Sequence, residues 1–153
     1  MAGSNLTRVA ASQSALAADA AVLRIWLVDD HDSFRELMAK LLNMEPGMEC
    51  RHHFPSAESV LLVLREQAPD VILLDVEMPG MNGVEAIQAI KKLAPLTTVL
   101  MLTTFSDHGV KEQCLATGAA SYLLKHHPPA EIVAAIRAAK QQMVPESKRE
   151  RTG

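Results

Sequence analysis

The sequence predicts an α/β domain, a parallel β-sheet with helices packed on both faces. Two observations carry that prediction. Strand-like runs alternate with segments of helical period five times in succession, and a helix between strands is the connection that parallel pairing requires. The stretches 71–74 and 97–102 also lack the every-other-residue alternation of a half-exposed strand, as expected where both faces of a sheet are covered. A length of 153 residues suits one such domain and buries a core without disulfide staples.

The first strand is expected at 24–28 and ends in Asp29-Asp30. Phe34, Leu37, Met38, Leu41 and Leu42 then recur at the spacing of one helix face. Ser33 and Glu36 form a capping box to start that helix, and Pro46-Gly47 end it. Residues 48–54 read as a more polar strand near the sheet edge, and Ser56 caps a second helix reaching about residue 66, before Pro69. The third strand, 71–74, ends at Asp75. The turn Met78-Pro79-Gly80-Met81-Asn82-Gly83 leads into a helix with Val84, Ile87, Ile90 and Leu93 inward. The fourth strand, 97–102, ends in Thr103-Thr104, and a helix over 107–117 stops at Gly118. The fifth strand, 119–124, runs into Lys125. Pro128-Pro129 then open a last helix carrying Ile132, Val133 and Ile136.

Composition narrows the function. Fifteen basic against 18 acidic side chains leave a net charge of −3, where a nucleic-acid binder shows a basic excess. The aromatics (Trp26, Phe34, Phe54, Phe105, Tyr122) are too few for a base-stacking platform, so no direct nucleic-acid binding is expected of this chain. No apolar run approaches the roughly 20 residues of a membrane helix. Ser12, Gln13, Ser14 and Asp19 interrupt the apolar stretch that a secretory signal needs. Cys50 and Cys114 lack redox or metal spacing and read as small buried residues, which fits a reducing, cytoplasmic setting. Residues 1–22 are expected to be a flexible leader or cloning remnant, residues 23–142 the folded unit, and residues 143–153 a charged tail or truncated linker.

In parallel sheets ligands bind at the carboxyl ends of the strands, near the switch in strand order. Those ends carry Asp29-Asp30, Asp75, Thr103 and Lys125, so three carboxylates, a hydroxyl and an ammonium meet on one rim. Clustered carboxylates repel one another unless a cation neutralises them, and an all-oxygen ligand set selects a hard ion, Mg²⁺ above all. A carboxylate also serves as a nucleophile, forming an aspartyl phosphate, and phosphoryl transfer asks chiefly for positioning and charge neutralisation. Lys125 and Thr103 would each meet one oxygen of a phosphorylated Asp75. Taken singly, these acids also read as helix caps or solvated loop groups, Lys125 as a surface lysine and Tyr122 as an ordinary sheet aromatic. His52-His53 and His126-His127 read as solvated or capping histidines, because neighbours on a strand point to opposite faces. The role of His31, beside the acid pair, stays open.

The segments Val28-Asp29-Asp30-His31, Leu74-Asp75-Val76-Glu77-Met78-Pro79-Gly80-Met81-Asn82-Gly83, Leu102-Thr103-Thr104 and Tyr122-Leu123-Leu124-Lys125 occur in that order at strand ends. Together they make the chain similar to the receiver domains of bacterial two-component response regulators, over roughly residues 23–142. The resemblance implies a flavodoxin-like fold of strand order 2-1-3-4-5. It implies Asp75 as phosphoacceptor, Asp30 as a direct Mg²⁺ ligand, Asp29 acting mainly through water, and the Glu77 carbonyl completing the metal site. Thr103 resembles the switch hydroxyl, Tyr122 the coupled aromatic and Lys125 the lysine of the family. A sensor histidine kinase or phosphotransfer protein would supply the phosphoryl group. The surface of the fourth helix, fifth strand and fifth helix would then change, controlling a homodimer, a downstream protein or, in a longer parent chain, a DNA-binding output domain. Catalysis would extend only to the chain's own phosphorylation and dephosphorylation.

Lys125-His126-His127-Pro128, in place of the family's frequent Lys-Pro, resembles the branch usually fused to a helix-turn-helix domain. Thr104, where Ala or Gly is frequent, and Glu77, near the acceptor, imply a changed rate of phosphoryl loss. Two other classes compete. A phosphorylation-independent interaction module usually lacks one member of the acid–hydroxyl–lysine set, and a phosphatase with an Asp nucleophile is disfavoured by the strand–helix order.

Overall fold

The computed structural model describes residues 22–104 and 106–142; the tail expected over 143–153 and all of the expected leader but Val22 lie outside the described residues. The elements alternate as β1 (Leu23–Val28), α1 (Asp32–Met44), β2 (Met48–Phe54), α2 (Ala57–Leu64), β3 (Val71–Leu74), α3 (Gly83–Leu93), β4 (Thr98–Thr103), α4 (His108–Thr117), β5 (Ser121–Leu124) and α5 (Pro129–Gln142). The strands pair in parallel in the order β2-β1-β3-β4-β5, the expected flavodoxin-like arrangement.

Strand pleating sorts the apolar residues into two cores. Trp26, Val28, Ile72, Leu74, Val99 and Met101 point to the side covered by α2, α3 and α4, where they pack on Val60, Leu64, Ile87, Ile90 and Cys114. Ile25, Leu27, Val71, Leu73, Leu100 and Leu102 point to the other side and meet Met38 and Leu42 of α1 and Ile132 and Ile136 of α5. Burial on both faces explains why β3 and β4 contain no surface-facing polar positions. The edge strands differ. β2 leaves Arg51, His52 and His53 exposed, and all four residues of β5 are half-buried.

Helix α1 corrects the sequence reading. Its N-cap is His31, which makes no side-chain capping bond, so the Ser33–Glu36 box does not form. The reason is local: Asp29 Oδ1 accepts the His31 backbone N–H at 2.9 Å, which closes the turn early and places Ser33 inside the first helical turn. Met38, Ala39 and Leu42 face the core together with Arg35, while Leu37 is 58% exposed and Leu41 half-buried. Leu93, expected inward, is the last residue of α3 and is also largely exposed. The Ser56, Asn82 and Asp107 side chains do cap α2, α3 and α4, accepting from Ser59, Glu85 and Val110 N–H groups.

Candidate functional site

The chain leaves β1 for β2 on one side and returns across it to β3 on the other. The loops after β1 and β3 therefore part and open a crevice at the carboxyl ends of these strands. Pairing runs one residue past each strand: Asp29 donates its N–H to the Phe54 carbonyl and Asp75 to the Val28 carbonyl, both at 3.0 Å. The two acids are thereby fixed side by side on rigid backbone.

Lys125, just past β5, donates its N–H to the Thr103 carbonyl at 2.7 Å. Its ammonium lies 2.6 Å from Asp29 Oδ2 and 3.0 Å from Asp75 Oδ2, and each of these three side chains is at most 8% exposed. The Phe34 ring of α1 stands 4.6 Å from Nζ, adding a cation–π contact. The Glu77 backbone N–H donates to Asp75 Oδ1 at 3.1 Å. Burial pushes the Asp75 carboxyl above its ordinary value; Lys125 opposes this, the Asp29 charge reinforces it, and the upward shift prevails. Burial alone would lower Lys125, yet its hydrogen bonds and ion pairs with the two carboxylates outweigh burial and hold it above its ordinary value.

Asp29, Asp30, His31 and Asp75 each bring one ligand atom within 4.8 Å of the others. Asp30 Oδ1 is buried with no hydrogen-bond partner, although His31 Nδ1 stands 3.3 Å from it; the two are within ion-pair reach but not aligned for a hydrogen bond. The Lys125 ammonium pairs with two of the three carboxylates, and an oxygen of the third is left buried and without a hydrogen-bond partner. That donor set fits a hard divalent cation. Asp30, Asp75, Glu77 and Thr104 line an open cavity of about 500 Å³, roomy enough for a phosphoryl group beside them.

Thr103, 1% exposed at the end of β4, faces a neighbouring cavity of about 320 Å³ shared with Asp107, Val110 and Tyr122. Val76 and Glu77 line both cavities. Burial, with the nearby Cys114, raises the Tyr122 phenol above its ordinary value. The structure thus places Asp30, Asp75 and Glu77 at one cavity, with Lys125 ion-paired to both Asp75 and Asp29, and Thr103 with Tyr122 at the next.

A family model described as "Response regulator receiver domain" matches residues 25–137. The chain belongs to the response regulator receiver domain family. Among its relatives, the transcriptional regulatory protein LiaR of Bacillus subtilis (strain 168) is 36% identical over 120 residues, covering 78% of this chain and 57% of LiaR. The transcriptional regulatory protein DegU of Brevibacillus brevis is 34% identical over 119 residues, covering 78% of this chain and 50% of DegU. The chain spans about half the length of these relatives. Among solved structures, the receiver domain of the putative response regulator NarL from Mycobacterium tuberculosis is 30% identical with a TM-score of 0.74, covering 78% of this chain and 97% of that one. Among the described residues of this receiver domain, no helix is long and apolar enough to cross a membrane.

The sequence reading of the receiver domain missed Arg35. Its guanidinium, buried under α1, donates to the Asp29 carbonyl at 2.6 Å, to Asp32 Oδ1 at 2.6 Å and to His53 Nδ1 at 2.9 Å. It ties the acid-bearing loop to α1 and to the edge strand β2. The signal for it is the Asp32–Arg35 spacing of i,i+3, which pairs charges on a helix. Arg35→Met is expected to cost about 1–2 kcal/mol by urea denaturation, since it strips donors from a buried carbonyl and a ring nitrogen. Arg35→Lys should recover little, because one ammonium cannot replace the planar fork at three acceptors. Wild-type stability in both variants would remove the clamp from the account. His53, exposed on β2 as a solvated histidine is expected to be, also accepts from Arg35 in this network, and His52, likewise exposed, packs edge-on to Trp26 with ring centroids 5.6 Å apart.

Proposed function

We propose that this receiver domain is a phosphorylation switch whose acceptor is Asp75. An Asp75 carboxylate oxygen attacks the phosphorus of a phosphohistidine on a sensor histidine kinase or phosphotransfer protein. The phosphorus–nitrogen bond breaks, the histidine leaves with the electron pair, and an aspartyl phosphate remains. The observation that carries the reading is the Lys125 ammonium bridging Asp29 Oδ2 and Asp75 Oδ2 beside an open cavity. There a nucleophilic carboxylate and a fixed cation stand together. Asp29, Asp30, Asp75 and the Glu77 carbonyl would hold Mg²⁺, as the unpaired Asp30 Oδ1 favours. When bound, the ion supplies positive charge to the phosphoryl oxygens. Catalysis by the chain is limited to gaining and losing this group.

Thr103, buried beside the acceptor, would turn toward the new phosphoryl oxygens. The cavity it shares with Tyr122 gives the phenol room to follow, and the α4–β5–α5 surface changes. Full inversion of such an equilibrium takes about 5.5 kcal/mol, within reach of a few charge-assisted hydrogen bonds at about 1.5–3 kcal/mol each. The receiver works in the cytoplasm, and its output is a homodimer, a downstream protein or, in a longer parent chain, a DNA-binding domain. In the test, acetyl phosphate or phosphoramidate should label the full chain with about one phosphoryl group, one nucleophile being placed for attack, only when Mg²⁺ is present. Asp75→Asn should abolish labelling, and equal labelling of that variant would sink the assignment.

A further inference from the structure

We propose that His31 is itself a ligand of the metal site, so that a nitrogen donor joins the carboxylates and shifts the site's selectivity from Mg²⁺ toward divalent ions that accept nitrogen. This rests on the metal reading given above and goes further by naming a ligand and a preference.

Neighbouring ligands of an octahedral ion bound at about 2.1 Å lie about 3 Å apart. His31 Nδ1 is 3.2 Å from Asp29 Oδ1 and 3.3 Å from Asp30 Oδ1, in each case the spacing of two neighbouring ligands of such an ion, and the ligand atoms of Asp29, Asp30, His31 and Asp75 all lie within 4.8 Å of one another. The Lys125 ammonium takes Asp29 Oδ2 and Asp75 Oδ2, so the carboxylate oxygens facing His31 are the ones the lysine leaves over. One of them, Asp30 Oδ1, is buried and has no hydrogen-bond partner. The backbone of His31 is held beside this position from both directions of the chain. The His31 backbone N–H donates to Asp29 Oδ1 at 2.9 Å, and His31 is the N-cap of α1.

The ring nitrogen lies in hydrogen-bonding contact with Asp29 Oδ1 at 3.2 Å. Ligation uses the neutral tautomer with its proton on the other nitrogen, which exchange with water supplies at a side chain 64% exposed. Imidazole suits later transition ions, whereas Mg²⁺ prefers oxygen and keeps its waters. Any site with these donors binds Co²⁺ more tightly than Mg²⁺; the diagnostic is how far His31 sets the ratio.

Calorimetric titration of the full chain with Co²⁺ and with Mg²⁺, alone and in competition, tests this on wild type, His31→Gln and Asp30→Asn. Both ions should compete for one site in wild type. His31→Gln should weaken Co²⁺ about tenfold or more while leaving Mg²⁺ within about threefold, on the scale of losing one donor. The Co²⁺ visible absorption should change as water replaces nitrogen. Asp30→Asn should weaken both ions, which separates this site from Co²⁺ held by histidines elsewhere on the chain. Unchanged Co²⁺ affinity and spectrum in His31→Gln would overturn the inference and leave the phosphorylation reading intact. Equal weakening of both ions would also overturn it, making His31 an orienting hydrogen-bond donor to Asp29. Absence of any competing Mg²⁺ binding in wild type would sink the metal reading itself.

Discussion

Replacing Lys125 by methionine is expected to cost about 3–5 kcal/mol of stability at neutral pH, the scale for removing one partner from a buried ion cluster, and to abolish phosphoryl labelling. Methionine keeps the stem and its place beside Phe34 but leaves Asp29 and Asp75, each 4% exposed, with no ammonium between them. The pH dependence follows from the direction of the shifts. Lys125 is held above its ordinary 10.5, so its stabilisation is complete below that pH and is lost only as pH rises through the folded value. A comparison at neutral pH therefore sees all of it. Asp75 is already raised above its ordinary 3.8, chiefly by burial. Between 3.8 and its folded value the native state binds more protons than the unfolded chain, so stability falls as pH rises. Removing Lys125 takes away the group that opposes this rise and extends the window upward. Acidification from pH 7 should thus return to Lys125→Met part of the stability it has lost relative to wild type. Adding Asp75→Asn should recover more stability in that background than in wild type, a coupling that a double-mutant cycle reads directly. Urea denaturation in EDTA across pH checks both statements. A deficit that does not change with pH and no coupling would mean that the ammonium is not what opposes the upward shift of Asp75.

The sheet is legible in the sequence because both of its faces are covered. Val71, Ile72, Leu73 and Leu74 sit in two opposite cores, so none of them is polar and the strand ends visibly at Asp75. The site is legible for a related reason: a parallel sheet puts its chemistry at strand carboxyl ends, and the acids, the hydroxyl and the lysine all stand there. What escapes is what depends on charge inside the core and on reach across the fold. Counting apolar spacing assigns Leu37 and Leu41 to the core side of α1, yet the helix turns inward the guanidinium of Arg35, because a backbone carbonyl, a carboxylate and a ring nitrogen satisfy it there. Thr103 does end β4 on that rim, opposite Leu124 of β5, but strand ends alone do not show that it is fully buried and borders a second cavity shared with Tyr122. The oxygens that Lys125 selects, and the ones it leaves facing His31, follow from side-chain geometry between residues 50 and 96 positions apart in the sequence.

Gly83→Ala is the other change expected to have a large effect, although it adds a single methyl group. Gly83 is the first residue of α3, and its N–H donates to the Val76 carbonyl at 3.0 Å. A Cβ there would lie 2.7 Å from Val76 Cα, 3.0 Å from Met101 Cε and 3.1 Å from the Asp75 carbonyl oxygen. Two of those atoms are backbone and the third belongs to a methionine fully buried in β4, so no flexible side chain can yield alone. Either α3 lifts off the sheet or the segment from Asp75 to Glu77 moves, and that segment carries the acceptor and its Oδ1 hydrogen bond. The expected cost is about 2–3 kcal/mol, the upper part of the range for overpacking a core. Labelling should slow by about ten- to a hundredfold, since displacements of under an ångström weaken catalysis on that scale. Gly80→Ala makes the comparison fair. Gly80 has a φ of +84° and its added Cβ would meet Glu58 Oε1 at 2.8 Å, the far end of a flexible side chain. That substitution incurs the left-handed backbone penalty of about 1–2 kcal/mol but leaves Asp75 where it is. Thermal unfolding and acetyl-phosphate labelling of the two variants should therefore separate: both lose stability, and only Gly83→Ala loses its labelling rate. Equal labelling rates would mean that the close approach of α3 does not position the acceptor loop.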